Sequence, residues 1–186
     1  MDWYRLRHTI GMCLTMSATA RAEYIKKHNI FYHMGDNCMT MFRKIPLYPK
    51  LISFGNNVWI ASNVTFVTHD VIHNVINNMA ENSNSKPIQE NIGCIDINDN
   101  VFVGANTTIL PNVTIGSNTV IAALSLVNKS LPGNGVYGGI PAKYICSFEE
   151  FTEKRKNAPQ VKIQRGKCGL SEDTVNACWE RMKHQK

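Results

Sequence analysis

A six-residue period of apolar side chains runs through the second half of this chain without a break. β-Branched aliphatics hold its first column, at Ile97, Val103, Ile109, Ile115, Ile121 and Val127. A second column of mostly small or β-branched residues follows four positions after each aliphatic, and a column of asparagines follows three positions after, at Asn100, Asn106, Asn112 and Asn118. The period matches neither a helix of about 3.6 residues per turn nor the alternation of a strand. It predicts short extended segments joined by tight corners, each with one inward aliphatic.

An earlier block, residues 54–66, has the same arrangement, with Asn57 and Asn63 at the corner phase. The two blocks are out of phase, because Phe66 and Ile97 are 31 residues apart, one more than five periods. An excursion must therefore interrupt the coil, and we assign it to residues 71–93. This segment is polar and rich in asparagine, and we expect a long loop without structure of its own, of the kind that often carries function.

Asparagine at one phase of the repeat is what recurring corners would select, since it tolerates the left-handed backbone conformation better than other non-glycine residues. Stacked coils let each segment pair with the coils above and below it, while the aliphatics form a narrow continuous core. A β-sandwich would place its strands about 8–12 residues apart with less regular turns. The repeat therefore favours a parallel β-helix.

The flanks predict helices. Residues 17–28 are rich in Ala, Glu and Lys and have Ser17 or Thr19 as a cap, and the tail predicts short helices at 148–156 and 171–183. We expect an all-β fold, a β-helix with a protruding loop, an N-terminal helix and a short helical tail. Its parts are an N-terminal helical segment (1–33), the coil with its excursion (34–146) and a C-terminal helical extension (147–186).

Composition narrows the class of protein. No stretch approaches the roughly 20 apolar residues of a membrane span, and the first residues do not resemble a signal peptide. The six cysteines are scattered without a Cys-x-x-Cys pair, which predicts reduced thiols in a cytoplasmic protein and no structural zinc site. A formal net charge of +6 favours anionic partners, such as phosphates, nucleic acid or acidic glycans.

Two stretches, residues 55–70 and 98–143, the second ending in the letters GGIPAK, resemble the hexapeptide-repeat acyltransferases. Within that family they are most similar to sugar and polysaccharide O-acetyltransferases and to xenobiotic acetyltransferases. The resemblance implies a left-handed parallel β-helix, a homotrimer, and acetyl-CoA as co-substrate in a cleft between subunits. The handedness comes from the resemblance alone, because the usual crossover rule predicts the opposite hand. The chain departs from the family pattern at Leu124-Ser125, Asn112 and Phe102.

By this resemblance, His69 is the catalytic general base. A sugar hydroxyl attacks a thioester poorly unless its proton is removed during the attack, and an imidazole, which titrates near neutral pH, suits that work. Asp70 follows directly, but neighbouring side chains on a strand point to opposite faces, so we expect it to shape the loop entrance. His69 and His73 are four residues apart, a spacing that aligns two imidazoles only on a helix, and we expect no metal site.

The resemblance also implies the substrate contacts. The excursion would reach over a neighbouring subunit and help to form the acceptor pocket, with Asp70, His73, Asn74 and Met79 as candidate contacts. Small residues along the second half of the coil would let coenzyme A lie against the backbone, and lysines would meet its phosphates. The candidates for coenzyme A binding are Phe102, Gly104, Ala122, Ala123, Ser125, Lys129 and Lys143.

Several alternatives stay open at this stage. The same fold and histidine would serve N-acetylation of an amino sugar or a nucleotide-linked sugar, or acetylation of a xenobiotic such as an antibiotic. A metalloenzyme similar to the γ-carbonic anhydrases would need three imidazoles, and only His69 and His73 fall near the coil. A non-catalytic β-helix module is the third class. The leading hypothesis is an O-acetyltransferase acting on a sugar or bacterial surface polysaccharide, with no nucleic acid partner and no membrane span.

Overall fold

Three β-sheets form the sides of a coil in this computed structural model, which describes residues 3–79, 86–167 and 169–184. The chain divides between Phe151 and Thr152 into two units, and the first unit contains the coil. Its strands are β1 (His33–Met34), β2 (Met39–Thr40), β3 (Ile52–Phe54), β4 (Val58–Ile60), β5 (Thr65–Phe66), β6 (Ile95–Ile97), β7 (Val101–Val103), β8 (Thr108–Ile109), β9 (Val113–Ile115), β10 (Thr119–Ile121), β11 (Leu126–Val127), β12 (Gly135–Gly138) and β13 (Lys143–Ser147).

From β1 to β12, consecutive strands belong to different sheets, as a coil requires. The first sheet has the order β1-β3-β6-β9, the second β13-β12-β10-β7-β4-β2, and the third β11-β8-β5. The strands of the coil pair in parallel, with Val101 opposite Val58 on one side and Thr119 on the other, and β13 alone joins β12 antiparallel. The structure thus confirms the parallel β-helix that the six-residue period predicts.

Each three-residue strand of the coil turns two side chains inward, where the sequence analysis expected one. In β7 both Val101 and Val103 are buried, while Phe102 between them is 42% exposed. A three-residue strand places its first and third side chains on the same face, so the second column of the repeat is buried beside the first. Threonines of this column, Thr107 and Thr119, satisfy their hydroxyls by donating to the carbonyls of Ala122 and Gly116.

Asparagines form the corners through the left-handed backbone that the repeat predicts. Their positive φ angles lie between 55° and 61° at Asn57, Asn63, Asn100, Asn106, Asn112 and Asn118. At one edge the side-chain amides also form a ladder, from Asn57 to Asn100 (3.0 Å), Asn100 to Asn118 (3.0 Å) and Asn118 to Asn134 (2.9 Å). The same residues therefore set the backbone turn and connect successive coils.

Helices flank and interrupt the coil, so this is a β-helix with helical additions and not an all-β protein. The described residues contain α1 (Trp3–Leu14), α2 (Ala18–Lys27), α3 (Ile72–Met79), α4 (Phe148–Asn157) and α5 (Glu172–Lys183), with a 3₁₀ turn at Pro49–Leu51. The predicted N-terminal helix is confirmed as α2, where the Ser17 hydroxyl accepts from the amide of Ala20. α1 was not predicted; it buries His8 and Met12, one turn apart, among otherwise mixed residues.

The excursion has structure of its own, contrary to the expectation of an unstructured loop. Its first turns form α3, and residues 80–85 lie outside the described part. Asn77 pairs with the backbone of Ile88 in both directions, at 2.8 and 2.9 Å. These bonds join α3 to the returning chain. The sequence pattern did not show this helix because it is short and contains two adjacent asparagines, which are weak helix formers.

The base of the excursion is closed by Asp70. Its Oδ1 accepts from the amide of Ile72 at 3.1 Å, and its Oδ2 accepts from the Asn91 side chain at 2.9 Å. The backbone amide of Asp70 donates to the carbonyl of Asn91, while His69 bridges to Ile92. The carboxylate therefore starts α3 and holds the two ends of the excursion together.

The second unit contains α5 and a two-stranded hairpin of β14 (Arg165–Gly166) and β15 (Gly169–Leu170). Ser171 caps α5 by accepting from the amide of Thr174, as the sequence predicts, and the Thr174 side chain is buried. The helices predicted for the tail are thus confirmed as α4 and α5. Among the helices of the described ranges, none has the length and apolar character needed to cross a membrane.

Leu124 tests the rule that asparagine is the most stable residue at a left-handed corner of the coil. It has a φ of 60° at a corner phase where the other coils have asparagine. A non-glycine residue in this conformation costs about 1–2 kcal/mol, and asparagine tolerates it better. We expect Leu124→Asn to raise the free energy of unfolding by about 1 kcal/mol in denaturant titrations at fixed protein concentration. The control is Ala123→Asn, the same side chain on the neighbouring exposed residue without a positive φ. A Leu124→Asn protein less stable than the original would contradict the rule.

The two hydrogen bonds that the Asp70 carboxylate accepts from Ile72 and Asn91, which we call the Asp70 clasp, predict that stability depends on pH. The Asn91 amide, followed by the Ile72 N–H, holds the pKa of Asp70 below its ordinary value of 3.8. Because the folded-state pKa is lowered, the clasp stabilises the fold above that ordinary value and is lost as pH falls through the lowered one. Asn91→Ala should raise the pKa of Asp70 toward 3.8, measured by NMR titration of its carboxyl group. Asn78→Ala, an exposed amide on α3, is the matched control, and an unmoved Asp70 titration in Asn91→Ala would refute the clasp.

Candidate active site

His69 lies three residues beyond the end of β5, where the chain leaves the coil. Its backbone pairs with Ile92 of the returning excursion, and the side chain is half-buried. The Tyr48 ring meets the imidazole edge-on, with 5.3 Å between ring centres. Its Nδ1 is buried and has no hydrogen-bond partner among the described residues. The imidazole is therefore fixed by packing on one side and has one ring nitrogen left unpaired.

Tyr48 connects His69 to the excursion. Its hydroxyl donates to the Glu90 carboxylate at 2.9 Å, and this hydrogen bond is the main reason why the pKa of Tyr48 is raised. Beside it, the buried Thr68 hydroxyl donates to the carbonyl of Leu47 at 2.7 Å. These contacts fix the segment that precedes the 3₁₀ turn against the strand that delivers His69.

A cleft of about 790 Å³ opens beside the imidazole. Residues 41–47 form one wall and residues 62–66 the other, with His69 and Arg5 also in the lining. Its volume suits a small ligand, since ligand pockets commonly measure about 300–1,000 Å³. The cleft makes His69 accessible to a molecule bound against the coil.

The Asp70 carboxylate accepts from Ile72 and Asn91 and makes no hydrogen bond to the His69 ring among the described residues. The other acceptor candidates, His73, Asn74 and Met79, lie on α3, and none of them lines the His69 cleft within this chain. His73 is half-buried, with its Nδ1 buried and unpaired, whereas Asn74 and Met79 are exposed.

His69 and His73 also stand apart in secondary structure. His73 lies on a helix, and not on the extended chain assumed from the sequence, but His69 precedes that helix. The spacing of four residues therefore does not align the two imidazoles on one helical face. Across the described residues, no three His, Cys, Asp or Glu side chains are grouped as a metal site would require.

The small residues proposed for coenzyme A gather at one edge of the coil. Gly104 donates its amide to Ile121 and lies against the next coil so closely that an added Cβ would be 2.4 Å from the amide nitrogen of Ala123. Ala122 and Ala123 follow at the same edge and are partly or fully exposed. The absence of larger side chains at these positions leaves backbone accessible along the edge, which fits the close approach of a narrow ligand arm.

Ser125 supports that edge from inside. Its hydroxyl donates to the carbonyl of Ala122 at 2.7 Å and accepts from the amide of Gly139 at 3.2 Å, and the residue is buried. Both contacts connect the edge to the strand and turn that carry the GGIPAK letters. Ser125 therefore positions the backbone at this edge, while its hydroxyl is already engaged.

The two lysines proposed for phosphate binding lie in different places. Lys143 begins β13 opposite Gly138, and an added Cβ on Gly138 would touch the Ala122 side chain at 3.0 Å. Lys143 is thus a neighbour of the small-residue edge. Lys129 follows β11 next to Ser130, whose hydroxyl accepts from Thr114 of the first sheet, so Lys129 belongs to another edge of the coil.

Phe102 belongs to a separate surface. It stands in the middle of β7 beside Trp59, its register partner in β4, and both rings point outward at 42% and 44% exposure. With Asn57 and Asn100 they line a pocket of about 310 Å³ on the second sheet. Within one chain, the structure therefore does not join Phe102 to the His69 cleft.

Sequence reasoning missed the basic residues of the His69 cleft, Arg5, Arg43 and Lys44. Arg5 comes from α1, and the two others come from the irregular segment before the first full repeat block. No periodic signal marks them, because neither region repeats. Their one sequence cue was the adjacent pair Arg43-Lys44 in an otherwise apolar stretch.

Comparisons with known proteins agree with this fold. A family model described as bacterial transferase hexapeptide (six repeats) matches residues 95–129. The galactoside O-acetyltransferase of Escherichia coli is 37% identical over 63% of this chain and 55% of its own length. The candidate acetyltransferase YJL218W of Saccharomyces cerevisiae is 30% identical over 78% of this chain and 70% of its own.

Among solved structures, a galactoside acetyltransferase in complex with coenzyme A is similar, with a TM-score of 0.54 and 27% identity over 80% of this chain and 82% of that one. The chain spans a little more than half the length of the first curated relatives it matches, between 55% and 58%. The repeat, the coil and the extent of the match to the yeast protein together show that this chain belongs to the hexapeptide-repeat acyltransferase family.

Proposed function

We propose that this protein transfers an acetyl group from acetyl-CoA to a hydroxyl of a sugar or bacterial surface polysaccharide, with His69 as general base. The observation that carries the proposal is the position of His69: a packed imidazole at the end of a cleft large enough for a sugar. Its buried Nδ1 leaves Nε2 as the nitrogen that faces a substrate. The left hand of the coil, the homotrimer and the cytoplasmic location belong to the same proposal.

Similar proteins support the chemistry. One relative is named a galactoside O-acetyltransferase, and one similar solved structure is a galactoside acetyltransferase with coenzyme A. In this chain the small-residue edge of Gly104, Ala122 and Ala123, with Lys143 beside it, fits the arm and a phosphate of coenzyme A. We assign binding to these residues and support of the edge to Ser125.

The reaction we propose is a direct transfer. His69 removes the proton of the acceptor hydroxyl as its oxygen attacks the thioester carbonyl, so that an O–H bond breaks while a C–O bond forms. The tetrahedral intermediate collapses with loss of the C–S bond, and the imidazolium returns the proton to the leaving thiolate. Tyr48 keeps the imidazole in place, and Asp70 holds the excursion that closes behind it.

We expect His69→Ala to lower kcat for acetyl transfer by about 10²–10⁴-fold, the usual contribution of a general base. The assay is thiol release from acetyl-CoA with a panel of sugars, amino sugars and glycans, with NMR of the product to locate the acetyl group. His33→Ala, an exposed histidine of β1, is the control and should retain activity. Activity of His69→Ala within a few-fold of the original protein would exclude the role.

The homotrimer is supported by apolar side chains that the single chain leaves exposed. They lie on α3, where Val75 and Met79 are 62% and 83% exposed, and on the second sheet at Trp59 and Phe102. Light scattering after size-exclusion chromatography should give about three times the chain mass of 20.9 kDa. A 20.9 kDa species that still turns over acetyl-CoA would contradict the shared cleft.

A further inference from the structure

The described residues that line the cleft beside His69 carry positive charge only. Arg5, Arg43 and Lys44 contribute to its walls, and no Asp or Glu of residues 3–79, 86–167 or 169–184 does. A cleft lined by charges of one sign concentrates the field and raises the local concentration of ligands of the opposite sign. This distribution points to the chemistry of the molecule that binds there.

Two of these cations, Arg5 and Arg43, are held by backbone carbonyls. Arg5 donates its Nε and Nη2 to the carbonyl of Ile45, at 3.3 and 3.2 Å, and Arg43 donates to the carbonyl of Cys13 at 3.0 Å. Across the described residues, the ion pairs within 4 Å lie elsewhere: Lys26–Asp36, Lys156–Glu153 and Lys183–Glu180. Backbone carbonyls orient the guanidinium groups but leave their charge available to a ligand.

A fourth positive charge lies behind the same wall. Arg21 is 2% exposed and donates to the carbonyls of Thr15, Met16 and Thr40, and it has no carboxylate partner in the part of the chain that the structure describes. Its pKa is lowered, first by burial and then by repulsion from Arg43. Arg21 also donates to the sulfur of Met41 at 3.7 Å, and Met41 lines the cleft, so this guanidinium adds positive charge directly behind the wall.

We propose that the acceptor is an anionic sugar, whose carboxylate or phosphate lies against Arg43, Lys44 and Arg5 while one of its hydroxyls faces His69. Arginine and lysine both bind such anions, and charge-assisted hydrogen bonds are the stronger ones. The volume of about 790 Å³ accommodates a sugar of one or two rings. This inference rests on the proposed acetyl transfer and narrows its substrate class.

The first test compares acceptors that differ at C6, where the neutral sugar has a hydroxyl and the acidic members have a carboxylate or a phosphate ester. Glucose, galactose and mannose are each paired with the matching uronic acid and 6-phosphate, and thiol release from acetyl-CoA is measured with the whole chain. In at least one series the acidic member should have a kcat/KM at least 10-fold above the neutral sugar, with an advantage that shrinks as salt is added. The uronic acid and phosphate arms identify which anion the site takes.

The second test removes the charge. Lys44→Gln and Arg43→Gln should each raise KM for the acidic acceptor by about 10- to 100-fold, the usual effect of losing one charge-assisted hydrogen bond. The preference for acidic over neutral sugar should fall with it. Lys27→Gln makes the same charge change on an exposed residue of α2 outside the cleft and should leave the preference unaltered. Circular dichroism of the variants checks the fold.

Binding separates this inference from the proposed function. In calorimetric titrations, His69→Ala should bind the acidic sugars more tightly than the neutral ones while losing transfer.

If transfer proceeds but neutral sugars are preferred, or if Lys44→Gln and Arg43→Gln keep the acidic preference, the anionic acceptor is wrong and the acetyltransferase remains. If acidic sugars bind but no acceptor is acetylated, or His69→Ala keeps activity, the proposed chemistry fails and the anion site remains. Equal binding of charged and neutral sugars would overturn the anion site.

Discussion

The corner of the coil is the constraint on which the rest of the structure depends. A three-residue strand can pair with the coils above and below only if the chain turns sharply at the same phase each time, and this turn requires a left-handed residue. Asparagine supplies the conformation and, from Asn57 to Asn134, a ladder of side-chain amides along one edge. Leu124 departs from this rule at another edge, beside the small residues assigned to coenzyme A.

The coil positions His69 by fixing the point at which the excursion leaves it. β5 is paired to β8, so the chain beyond it leaves the third sheet at a fixed point, and the buried Thr68 hydroxyl anchors that point to Leu47. Asp70 then gathers both ends of the excursion, and Tyr48 packs its ring against the imidazole. A rigid repeat and a few single contacts thus fix one side chain at the mouth of a cleft.

The positive charge of the His69 cleft comes from residues outside the repeat. The buried side chains of the repeat are apolar or carry a hydroxyl, and none of them is charged. The positive side chains of the cleft come instead from α1 and from the irregular segment before the repeat. Backbone carbonyls hold Arg5, Arg43 and the buried Arg21. The repeat supplies the scaffold and positions the histidine, while the non-repeating N-terminal region supplies the charges on which we base the proposed acidic acceptor.

The sequence by itself determined what repeats or is local. The period of six determined the strands and the first buried column, the asparagines determined the corners, and Ser17 and Ser171 marked their helix starts, because each of these depends on residues a few positions apart. Only the tertiary structure decided the features that depend on single long-range contacts. These are α3 with its Asn77–Ile88 pairing, the engagement of Ser125 by Gly139, the position of Lys129 at another edge than the small residues, the outward Trp59–Phe102 pair on the second sheet, and the basic wall facing His69. A contact made once leaves no period in the sequence, so packing alone reveals it.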